Sequence, residues 1–123
     1  MSGLSATKTI LNTSIAASIA ASFLSPVGAR ADTPLTAATV LKEMPPNEFA
    51  VYIAGIVEGL AYARFRKDSA AAGQKDEAGM TCIRRWYFDD PQIALTIGNA
   101  FRKYGEHYPW VVVAALVKQE CGE

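Results

Sequence analysis

Few residues in this chain could do chemistry on their own. His107 is the only imidazole, set between Glu106 and Tyr108, and Ser69 is the only serine after position 25. Ser69 has no base near it in sequence, and a lone histidine beside a proline turn reads as a surface or helix-end residue rather than a general base. Cys82 and Cys121 are the only thiols. If they pair, no thiolate nucleophile remains. A metal site would then have to combine His107 with carboxylates, and no ligand spacing supports one. No haem-attachment motif, phosphate-cradling glycine loop or calcium loop is present. The expectation is a protein with no catalytic residues, no cofactor and no metal.

Whether the thiols pair depends on compartment, and the N-terminus speaks to that. Met1 to Lys8 is a short polar start with one positive charge, and Ile10 to Leu24 is apolar or small with no charge. Ser25-Pro26-Val27-Gly28 breaks the run, and Ala29-Arg30-Ala31 offers two small residues at peptidase spacing. This is the three-part order of a secretory signal peptide, cut between Ala31 and Asp32. The apolar run is too short for a membrane anchor, which needs about 20 residues. Residues 1–31 are therefore read as a cleaved signal, and 32–123 as a single helical domain working in the periplasm or outside the cell. There Cys82 and Cys121 can form a disulfide; two free thiols is the alternative in a cytosolic chain.

Composition narrows the partners. Of 12 basic and 12 acidic residues, Lys8 and Arg30 leave with the signal, so the remaining 92 residues carry 10 against 12. That balance argues against a general nucleic-acid binder, which needs a basic excess. A core this small usually needs a staple. A bond closing 39 residues supplies about 4 kcal/mol in the chain-entropy account.

The elements that must position these residues read as helices. Thr36 caps a short helix through Met44, and Pro45-Pro46 ends it. Asn47 caps a longer one, with Phe49, Tyr52, Ile53, Ile56, Leu60 and Ala63 on one face. Gly55 and Gly59 lie four apart on it. Each costs up to about 1 kcal/mol against alanine, so close packing of a neighbouring helix is expected there. Arg64 to Asp68 begins the exit, and Ser69 to Gly79 reads as an exposed connection. Thr81 to Phe88 forms a short helix with Cys82 and Trp86 on one side. Asp89-Asp90-Pro91 starts the next, with Asp as cap and proline at the first position. Ile93, Ile97, Phe101 and Tyr104 mark its face, and Gly105 its stop. Val111-Val112-Val113 would suit a strand, but Trp110, Val113, Ala114, Val117 and Cys121 share a helical face behind Pro109. The sum is an all-α bundle of four to five short helices stapled by one disulfide.

The basic clusters Arg64/Arg66/Lys67, Arg84/Arg85 and Arg102/Lys103 read first as solvated surface. One has a sharper reading. Arg84, Arg85, Trp86, Tyr87 and Phe88 combine charge with large flat rings, the composition of interface hot spots. This run is the candidate partner-binding segment.

Tyr52-Ile53-Ala54-Gly55-Ile56-Val57-Glu58-Gly59 resembles the helix with a Tyr-Ile-x-Gly core of the type VI secretion amidase immunity proteins. The central Cys82, the helix Pro91 to Tyr104, the Tyr108-Pro109 start and the late Cys121 follow in the same order, over Asn47 to Gly122. After the first cysteine, where members often carry proline, this chain has Ile83-Arg84-Arg85-Trp86. The resemblance implies an exported all-α protein with a Cys82–Cys121 bond. It further implies one that is often dimeric and that binds and blocks a secreted cell-wall amidase. Expected partners are thus such an amidase and a second copy, with no nucleic acid and no stable membrane insertion. The alternative is a small periplasmic acid-stress chaperone with one disulfide. Such proteins place the first cysteine before the leading helix, and this sequence carries no evident pH trigger.

Overall fold

A hydroxyl begins the described fold. In the computed structural model, which describes residues 35–123, Thr36 Oγ1 accepts from the Thr39 amide at 3.2 Å and caps α1 (Ala37–Glu43). The segment read as an export signal lies outside the described residues. Two further amides of that first turn have no partner within a helix. Ala37 N–H donates to the His107 carbonyl at 2.8 Å, and Ala38 N–H to the Gly105 carbonyl at 3.0 Å. α1 is thus tied to the loop between the last two helices. Gly105 permits this approach, because a Cβ there would lie 2.9 Å from the Ala38 Cβ.

α2 (Pro46–Ala72) departs from expectation at both ends. It starts at Pro46, with Pro45 extended at the cap, so Asn47 is not the cap but sits inside the first turn. Proline has the φ of a first helical residue already set, and this starts the helix early. At the other end α2 does not exit at Arg64–Asp68. It continues to Gly73, which closes it in the left-handed conformation at φ 67°. Alanines 70 to 72 have the highest helix propensity, and the Arg64–Asp68 pair at 2.7 Å spans one turn. The connection is therefore only residues 73–77. Ser69 Oγ holds it by accepting from the Asp76 amide at 2.9 Å.

α3 (Ala78–Phe88) then runs back along α2. The turn Asp90-Pro91-Gln92 follows, with Asp90 Oδ1 accepting from the Gln92 amide at 2.8 Å. Regular helix α4 (Ile93–Lys103) begins two residues after the expected proline start. α5 (Pro109–Cys121) starts at Pro109, and the three valines are helical. Its buried stripe is Pro109, Val112, Val113 and Val117. Trp110 is not on that face, being 56% exposed. Successive helical residues are about 100° apart, and Pro109 holds the buried position.

The fold is all-α, five helices and one disulfide among the described residues. Phe101, Ile53, Ile83, Ile97, Val40, Val57 and Val113 are its fully buried large side chains. Phe49 meets Phe101 edge-on at 5.6 Å. On α2 the buried line is Ile53, Val57 and Ala61, flanked by Tyr52, Ile56 and Leu60. Cys82 and Cys121 are bonded, with Cα atoms 5.9 Å apart, and join α3 to the end of α5. None of the described helices is long and apolar enough to cross a membrane.

Candidate functional site

Helical phase divides the run Arg84 to Phe88 between two sides of α3. Arg84 and Tyr87 turn toward α2. The Arg84 guanidinium forks onto Glu58, with Nη2 at 2.8 Å and Nε at 3.1 Å from its carboxylate oxygens. That hydrogen bond, and then the Glu58 charge, hold Arg84 above its ordinary range. Tyr87 is half-buried, and its hydroxyl donates to the Ala50 carbonyl at 2.9 Å. Burial pushes its phenol up from the usual value. These two residues lock α3 onto α2, so their first task is packing rather than partner contact.

Arg85 is exposed on the other side, and Trp86, half-buried against the core, turns part of its surface the same way. Together with Cys82 they line an open groove of about 760 Å³ between α3 and the end of α5. Its edges carry Glu77 before α3, Asp89 and Asp90 after it, and Glu120 beside Cys121. Phe88 ends the helix 58% exposed, edge-on to Tyr87 at 4.9 Å. The expected five-residue cluster is thus two residues in a groove, one standing free and two held by α2. Glu120 was not evident from sequence as part of this surface. Its position next to Cys121 is the one signal that could have found it, since the disulfide draws it to α3.

Gly55 and Gly59 do not pack against any of the described helices. Both are exposed, and a Cβ at either would meet nothing within 4 Å. Ile53, Val57 and Ala61 hold the inward face of α2, which turns the two glycines outward. The helical glycine that admits a neighbouring helix is Gly79 on α3. A Cβ there would fall 2.6 Å from both Arg64 Nε and Asp68 Oδ2. Arg64 in turn donates through Nη1 to the Gly122 carbonyl at 3.0 Å, linking α2 to the end of α5.

The chemically capable residues stand apart. His107 is exposed, with Nε2 at 3.4 Å from Glu106 Oε1, and its carbonyl caps α1. The Ser69 hydroxyl belongs to the loop after α2. Among the described residues no three histidine, cysteine or acidic side chains gather as metal ligands would. A second groove of about 460 Å³ is apolar, lined by Leu41, Met44 and Phe49 against Tyr87 and Leu95. No protein-family model, curated protein or solved structure matches this chain.

Proposed function

We propose that this chain is an exported protein-binding domain without catalysis of its own. Its role is that of the immunity proteins it resembles, holding and blocking a cell-wall amidase. The observation that carries the reading is the groove beside α3. Arg85 and Trp86 line it, Phe88 stands exposed at the helix end, and the Cys82–Cys121 bond fixes both walls. Arginine and aromatic side chains are the usual composition of contact hot spots, and a backbone already fixed loses less entropy on binding. Neither His107 nor Ser69 lines the groove, so binding there calls on neither side chain.

The test is protection. Bacterial cells made to export a cell-wall amidase should lyse, and co-export of this chain with the amidase it blocks should prevent lysis. Purified chain and amidase should co-elute in size-exclusion chromatography. Arg85→Glu with Phe88→Ser should abolish both effects while leaving the circular-dichroism melt unchanged, since Arg85 and Phe88 are exposed. Absence of protection and of a complex with the unaltered chain would refute the reading.

A further inference from the structure

The edges of the groove select its occupant. Four carboxyl groups, Glu77, Asp89, Asp90 and Glu120, line it against the one guanidinium of Arg85. Two of the four are engaged: Glu77 pairs with Lys75 at 2.9 Å, and Asp90 Oδ1 accepts from the Gln92 amide. Asp89 and Glu120 form no ion pair among the described residues. They come from the ends of two different helices, which the disulfide joins one residue away from Glu120. Between these edges the surface is mostly apolar, made of Ala78, the Cys82 side of the disulfide and Trp86, with Thr81 among them.

We propose that this groove receives an arginine or lysine side chain presented by the partner protein. The inference rests on the reading that the groove is the contact surface. Each part of such a side chain finds a match. Its methylene stem lies along the apolar surface, as long basic side chains do. Its charged head reaches Asp89 and Glu120. Indole is the aromatic ring that attracts cations most strongly, and Trp86 supplies it. An acidic side chain in the groove would meet four carboxyl groups against the one guanidinium of Arg85. A purely apolar one would leave the two carboxylates covered and unpaired, which is unfavourable. Arg85, on the same rim, is left to meet a carboxylate next to the partner's basic residue.

The experiment uses Trp86 as its own reporter. The chain has two tryptophans, and Trp110→Phe, at an exposed position, leaves Trp86 alone. N-acetyl-arginine amide and N-acetyl-lysine amide are titrated at low salt, with N-acetyl-norleucine amide as the uncharged control. The basic amides should change Trp86 emission saturably, with affinity at least about threefold above the control. The effect should weaken as salt is raised. Asp89→Asn with Glu120→Gln, checked for an unchanged melt, should remove that preference. An equal response to norleucine amide, a preference that survives the double variant, or no response to any amide would overturn the proposal. Protection from the amidase is scored separately. A chain that protects cells yet ignores the basic amides defeats only this inference. One that binds them without protecting defeats only the functional reading.

Discussion

Two glycines on facing helices should respond to the same substitution with opposite sign. Gly59→Ala adds a methyl group where nothing lies within 4 Å. It removes a flexible residue from the middle of a 27-residue helix, and should stabilise the domain by about 0.5–1 kcal/mol. Gly79→Ala gains the same helical preference, but its methyl would sit 2.6 Å from Arg64 Nε and 2.7 Å from Arg64 Cγ. The Cγ is near the root of the side chain, so a rotation of the guanidinium alone does not clear it. Arg64 must swing away, straining its bonds to Asp68 and to the Gly122 carbonyl. Overpacking costs about 1–3 kcal/mol, and each weakened hydrogen bond about 0.5–1.5 kcal/mol. After the helical gain, Gly79→Ala should destabilise by about 1–5 kcal/mol. The two variants should therefore differ by about 1.5–6 kcal/mol in equilibrium urea unfolding, with unchanged slopes. At about 4–8 °C per kcal/mol for a domain of this size, thermal melts resolve them as well. A Gly79→Ala protein as stable as the parent, or a Gly59→Ala protein clearly weaker, would refute the assignment of inward and outward glycines.

Replacing both cysteines with alanine should cost about 2–5 kcal/mol, read as a fall in the urea midpoint. Intact mass before and after alkylation without reductant should show no alkyl uptake by the unaltered chain. Phe101 is fully buried and meets Phe49 edge-on, so Phe101→Ala should lose about 3–5 kcal/mol and the near-ultraviolet dichroism of the core. Burial raises the Tyr52 and Tyr87 phenols from their usual value of 10.0. Folding therefore favours their protonated forms. That contribution is complete below about pH 10 and is lost as pH rises through the raised values. The urea midpoint should fall over this alkaline range, and less steeply in Tyr87→Phe.

Side-chain identity was enough to read the all-α class, the disulfide and the start of α5. Thr36 and Pro109 act through local chemistry that needs no knowledge of neighbours, and the two cysteines have only each other to pair with. The boundaries of α2 were harder. Pro46 and Asn47 both favour a helix start, and only the fold decides that proline takes the first position. Alanines 70 to 72 looked like linker because they have no apolar face, yet high propensity and the Arg64–Asp68 pair carry the helix through them. Gly55 and Gly59 mark the other limit. Their spacing reveals that a helix surface is bare, but not what stands opposite. Gly79, which does admit a neighbour, sits in a stretch with no periodic signal at all.

The same limit governs the candidate site. Arg84 and Arg85 are chemically identical and adjacent, so composition assigns them one role. A helix separates them by about 100°. That rotation gives Arg84 to Glu58 and Arg85 to the groove. Tyr87 follows Arg84 in facing α2, and Trp86 follows Arg85. Composition thus located the surface on the chain, while helical phase chose which part of it lines the groove. Glu120 completes the point from the other direction. It lies 35 positions after Arg85, yet the disulfide makes it a neighbour. A charge that sequence distance would assign elsewhere becomes part of the same groove, and the groove's preference for a basic partner depends on it.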